Sequence, residues 1–229
     1  MRKIGLIGGM SWVSTRTYYE DINQLVQART SKTASAPLLI ESLDFTNLIR
    51  LSTPEQWDHA AQVLTDSARR LQQAGATALL IGANSMHKVY DQVAAAVSVP
   101  VIHIADAVGA KMKEAGVTNA TLLGTRNVVM ESFYRKRLVG HGVSLLPPVV
   151  DEVEAMDKII YDELMLGKAT RSAERTFKTM LTNMSQRGAQ AAVIACTELD
   201  MVIDVDANVL PIFDGTRIHA QAAVDWILG

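Results

Sequence analysis

Two stretches of the chain follow one pattern and stand far apart. Gly75-Ala76-Thr77-Ala78-Leu79-Leu80-Ile81-Gly82-Ala83-Asn84-Ser85 and Gly188-Ala189-Gln190-Ala191-Ala192-Val193-Ile194-Ala195-Cys196-Thr197-Glu198 each run from a Gly-Ala start through a short apolar run to a small polar triplet. A short apolar run bounded this way reads as a buried parallel strand, and the triplet as the place where a helix starts. Gly75 and Gly188 are 113 positions apart, as are Ala83 and Cys196, so the single cysteine stands opposite an alanine.

The rest of the chain repeats the same grammar. Lys3 to Gly8 reads as a strand ended by glycines, and Gly8-Gly9-Met10-Ser11 turns into a helix with Tyr18, Ile22, Leu25 and Val26 at helical spacing. Pro37 to Leu43 is a second strand. Thr53-Pro54-Glu55-Gln56 is a capping box with proline at the first helical position, and Gly75 stops the helix it opens. Strands at 77–81 and 99–104 follow, with a helix at about 87–97 between them. In the second half, Asn119 to Thr125 lies on Lys3 to Gly9 at an offset of 116, and Val209 to Asp214 lies on Val99 to His103 with Pro211 and Pro100 111 apart. Helices are expected through Phe133 and Leu138, over 151–166, over 172–187 and over 216–228, with a strand at 142–146.

Offsets that drift by only a few residues fit duplication with altered loops. The expected fold is therefore α/β, with two pseudo-symmetric lobes, each a mainly parallel sheet flanked by helices. The first lobe takes residues 1–105 plus 212–229 and the second 106–211. Ligands bind beyond the carboxyl ends of parallel strands, so the active site is expected in the cleft between the lobes. It would be lined by 8–11, 83–85, Gly124-Thr125 and 196–198.

Composition narrows the function classes. A formal charge of −2 offers no basic field for nucleic acid or a membrane surface. No apolar run is long enough to cross a bilayer, and the apolar stretch near Met1 is too short for a signal peptide and is interrupted by Gly8-Gly9. The expected compartment is the cytoplasm. One cysteine forms no internal disulfide, and five histidines lack metal-ligand spacing, so no metal is expected. No dinucleotide fingerprint or phosphate loop occurs. Cys196 follows an apolar strand and precedes Thr197-Glu198. A thiol at a helix N-terminus is expected to have its pKa lowered towards neutrality. A buried inert thiol is the alternative. Asn84, Ser85 and Thr197 supply small donors suited to a carboxylate, or simply to helix capping.

These segments carry a resemblance. Gly8-Gly9-Met10-Ser11-Trp12, Asn84-Ser85-Met86-His87-Lys88, Leu123-Gly124-Thr125-Arg126, Ala195-Cys196-Thr197-Glu198 and Pro211-Ile212-Phe213-Asp214 resemble, in order and over nearly the whole chain, the aspartate/glutamate racemase family. The resemblance implies an isomerase of amino acid metabolism that works without a cofactor, often as a homodimer. Its partner would be a small acidic amino acid. Inverting Cα needs two acid/base groups on opposite faces, in the family two cysteines or a threonine and a cysteine. Cys196 matches the second; the first falls at Ala83, or at Gly82 in a shifted register, and neither can move a proton. Three accounts fit: a replacement that inactivates one base, a water or other residue in its place, or kinship with single-cysteine arylmalonate decarboxylases. A binding protein for an acidic amino acid is a further reading. By resemblance, substrate contacts fall to Asn84, Ser85, Thr125 and Thr197, with Met10 and Ser11 on the floor and Ser52 in a covering loop. Arg50, Arg126 and Lys168 are candidates for a distal carboxylate, and Glu198 for tuning Cys196.

Overall fold

The computed structural model describes residues 1–229. Its contacts divide the chain into two compact units, residues 1–104 with 219–229, and residues 105–218.

In the first unit the elements are β1 (Ile4–Gly8), α1 (Trp12–Arg29), β2 (Leu38–Ser42), α2 (Pro54–Gln73), β3 (Ala78–Ile81), a 3₁₀ turn at Ser85–Val89, α3 (Tyr90–Ala95) and β4 (Val101–Ile102). The strands form one parallel sheet in the order β2-β1-β3-β4. Because side chains alternate along a strand, β1 and β3 each feed two layers. Ile7, Leu79 and Ile81 pack with Ala60, Leu64, Ala68 and Leu71 of α2. Ile4, Leu6, Ala78 and Leu80 pack with Tyr18, Ile22 and Val26 of α1 and with Ala220, Ala223, Val224 and Ile227. The capping box forms as the sequence indicates: Thr53 Oγ1 accepts from Gln56 N, while Gln56 Oε1 accepts from Thr53 N at 3.1 Å.

The second unit begins one residue inside α4 (Ile104–Glu114). It continues through β5 (Asn119–Gly124), α5 (Arg126–Met130), α6 (Ser132–Gly140), β6 (Ser144–Leu145), α7 (Val150–Asp162), a 3₁₀ turn at Leu164–Leu166, α8 (Arg171–Gln186), β7 (Ala191–Ala195), a 3₁₀ turn at Thr197–Met201, β8 (Ile212–Asp214) and the opening turn of α9 (Gly215–Leu228). Its sheet is parallel in the order β6-β5-β7-β8, the topology of the first unit repeated. The α/β fold with two parallel sheets is thus the one the sequence indicates.

Several details differ. Residues 212–218 fall with the second unit rather than the first, because β8 pairs with β7 over Ala192–Ile194. The junction expected between residues 105 and 106 falls inside the helix α4. Proline cannot donate to a sheet ladder, which keeps β4 behind Pro100 and β6 before Pro147-Pro148 to two residues each. No helix is long and apolar enough to cross a membrane.

Candidate active site

The carboxyl ends of β1 and β3 lie side by side in the first unit, with Ile7 in register with Ile81 and Gly82 N donating to Ile7 O at 2.9 Å. Gly9 turns the chain away from β1 with φ +82°, and a Cβ there would lie 2.2 Å from the backbone of Leu43. No other residue fits that approach. Met10 beyond it is buried in the core, and Ser11 occupies the N-cap of α1 without a side-chain cap bond. After β3, Ala83 is half-buried, Asn84 is buried and Ser85 half-buried. The Asn84 Oδ1 atom is buried with no hydrogen-bond partner. A desolvated acceptor without a donor is costly.

Histidines that look scattered in the sequence come together in this unit. His87 packs on His103 with ring centroids 4.4 Å apart and on His219 at 5.7 Å. His219 Nε2 faces Ile102 O at 2.9 Å. A carbonyl only accepts, so Nε2 carries the proton and the neutral ring's Nδ1 accepts from Tyr18 Oη at 2.7 Å. Burial pushes His219 down to about 4.

In the second unit the ends of β5 and β7 are also neighbours, Gly124 being in register with Ala195. A Cβ on Gly124 would sit 2.9 Å from Ala195 O, so glycine lets the two strand ends close up. Thr125, the next residue, buries its Oγ1 with no partner. Cys196 is buried, and its Sγ donates to Glu198 Oε2 at 3.2 Å. The expected lowering of its pKa is corrected here. Burial first, and the Glu198 carboxylate second, push the thiol well above its usual range. The element after it is a five-residue 3₁₀ turn rather than an α-helix, and the Cys196 side chain makes no cap bond to it. The local dipole is correspondingly short. Cys196 therefore rests as a thiol, with an acceptor in place to take its proton.

Thr197 Oγ1 lies 3.1 Å from Thr216 Oγ1. Asp214, at the end of β8, accepts from Thr216 N at 2.9 Å and Arg217 N at 3.2 Å, capping α9. Thr216 escapes sequence reading, although Asp214-Gly215-Thr216 carries the strand-end cap signal of an aspartate two residues before it.

The remaining sequence candidates sit as follows. Ser52 is tied into the α2 cap, its N and Oγ both donating to Gln56 Oε1. Arg126 gives its backbone N–H to Asp157 at 2.7 Å and reaches Glu154 at 3.5 Å, so α7 occupies it. Arg50 is exposed and is the one non-glycine residue with positive φ, +53°. Lys168 is exposed just after the left-handed Gly167.

The chain matches the family model described as Asp/Glu/Hydantoin racemase over residues 7–223. It is 22% identical to the broad specificity amino-acid racemase RacX of Bacillus subtilis over 98% of each chain. A candidate Asp/Glu racemase from Yersinia pestis is 38% identical in sequence and superimposes over 100% of both chains with a TM-score of 0.93. An aspartate racemase homologue from Pyrococcus horikoshii OT3 is 30% identical, again over 100% of both chains, with a TM-score of 0.87. The chain belongs to the Asp/Glu/hydantoin racemase family.

Proposed function

We propose that the chain moves a proton at the Cα of an acidic amino acid, with Cys196 as the acid/base group and position 83 as its vacant counterpart. The observation that carries this reading is the buried thiol donating to the Glu198 carboxylate at 3.2 Å. Proton transfer from Sγ to Oε2 gives a thiolate and a neutral Glu198. The thiolate then takes the Cα proton and leaves a carbanion delocalised into the substrate carboxylate. The sulfur-bound proton exchanges with solvent through Glu198, and return of a hydrogen from the same sulfur restores the original enantiomer with a solvent-derived hydrogen at Cα. Burial keeps the ion population small until substrate arrives, and it keeps water from the carbanion.

The polar groups that follow the strands suit the substrate's two ends. Thr125 Oγ1 and the hydroxyls of Ser85 and Thr197 can donate to a carboxylate, and Asn84 Oδ1 can accept from an ammonium. Arg50 and Lys168 remain the candidate cations for a distal carboxylate, since Arg126 is held by acids of α7.

Ala83 carries no titratable group. The chain is therefore expected to exchange the Cα hydrogen of one enantiomer in heavy water with little inversion. A Cys196→Ala variant loses that exchange, and Glu198→Gln slows it by removing the proton acceptor. Exchange that persists in Cys196→Ala sinks the assignment. A second reading is favoured by the same single thiol: decarboxylation of a disubstituted malonate, in which one proton donor suffices. Carbon dioxide release from such a substrate, without exchange of aspartate or glutamate, would select it.

A further inference from the structure

Thr197 lies between Cys196 and Glu198 in the sequence, and its hydroxyl meets a residue of another element. Thr216 is 3% exposed, lies in the first turn of α9, and places its Oγ1 3.1 Å from Thr197 Oγ1. Its own backbone is fixed, since Thr216 N donates to Asp214 Oδ1 at 2.9 Å. Thr197 is half-buried, and the 3₁₀ turn it opens has no side-chain cap of its own. The contact between the two hydroxyls is therefore a side-chain tie between the first turn of α9 and the segment Cys196-Thr197-Glu198.

We infer that Thr216 is a positioning residue: it donates to Thr197 and so turns the Thr197 hydroxyl proton towards the substrate carboxylate. A hydroxyl has one proton to give and lone pairs to receive. With both protons uncommitted, either threonine can donate to the other. Once a carboxylate takes the Thr197 proton, the pair stays satisfied only if Thr216 gives its own proton to Thr197. A buried chain of hydroxyls polarised in one direction strengthens each link, so Thr216 acts on the anion through Thr197 without touching it. This inference rests on the reading of Thr197 as a carboxylate donor.

The test is a double-variant cycle on binding of L- and D-aspartate and L- and D-glutamate, measured by calorimetry on the full chain, with Cα exchange followed in parallel. Thr197→Val is expected to weaken binding of the preferred amino acid. Thr216→Val is expected to weaken it about fivefold to tenfold, the size of one hydrogen bond, while the exchange rate at saturation changes less. In the Thr197→Val background the second substitution should have almost no further effect. Thr216→Ser, which keeps the hydroxyl, should restore most of the affinity and shows that loss of the methyl or of folding is not the cause. Equal weakening by Thr216→Val in both backgrounds would overturn the positioning role while leaving Thr197 as a ligand. Unchanged binding in Thr197→Val would overturn the reading of Thr197, and the role of Thr216 with it.

Discussion

The two units repeat one topology, yet they end their central strands in opposite chemistry. At the end of β3 the chain reads Ala83-Asn84-Ser85, neutral throughout, in the unit that also holds the ring cluster of His87, His103 and His219. At the end of β7 it reads Cys196-Thr197-Glu198, with a thiol already donating to a carboxylate. The difference extends to the neighbouring strand. Gly9 follows β1 because the Leu43 backbone fills the space of a side chain, whereas at the position 116 residues later Thr125 brings a buried hydroxyl. The two units have like scaffolds, and only the second ends its central strand in a thiol beside a carboxylate. Equal backbones thus say little about equal roles.

The sharpest way to break this contrast is to make the first strand end reactive. Ala83→Cys or Ala83→Thr adds the group that position lacks. If positions 83 and 196 serve one carbon, inversion should rise by about two to four orders of magnitude, the usual worth of a placed acid/base group, with exchange through Cys196 retained. Chiral chromatography of product from each pure enantiomer measures it. No rise in either variant, with substrate still bound, would falsify the pairing of the two positions.

The next effect concerns a buried titratable group of the first unit, His219. His219 is neutral when folded, with its pKa pushed down to about 4, whereas in the unfolded chain it titrates near the ordinary histidine value of about 6.5. The unfolded state therefore binds the extra proton first as pH falls. Stability from this group is fully present above about pH 6.5 and is lost towards pH 4, by about 3 kcal/mol in total. Denaturant unfolding from pH 7 to pH 4, compared between the native chain and His219→Gln, should show the steeper fall in the native chain. Parallel curves would mean the imidazole is not held neutral.

How far the sequence discloses these features depends on their range. The strands and the α2 cap are legible because their signals are local: apolar runs between glycines, and Thr53 three residues before Gln56. The family resemblance is legible for the same reason, being carried by short runs of residues. The thiol's state is not. A strand-end cysteine before a polar pair suggests a lowered pKa, but the deciding quantities are burial and the direction in which Glu198 points, and both are set by packing. The histidine cluster joins residues 87, 103 and 219, and the Thr197–Thr216 contact joins the turn after β7 to α9. No periodicity or spacing encodes such pairs. The assignment of 212–218 to the second unit likewise follows from strand pairing, which local pattern does not fix.

The smallest effects come from two tyrosines that repeat each other. Tyr18 and Tyr134 are 116 residues apart and both are fully buried, on α1 and α6. Tyr18 gives its proton to His219 Nδ1 at 2.7 Å, while Tyr134 Oη is buried without a partner. Tyr18→Phe strands a buried acceptor nitrogen, which costs about 1–3 kcal/mol. Tyr134→Phe strands nothing. Burial and the nearby Asp214 carboxylate raise the Tyr134 pKa further, so its hydroxyl stays neutral and only its desolvation is at stake. Its removal should change stability by less than about 1 kcal/mol, in the stabilising direction. Urea unfolding of both variants under one condition decides the matter. Equal losses would mean that Tyr134 has a partner in solution, a bound water being the simplest, and that the two units are more alike at this level than their strand ends.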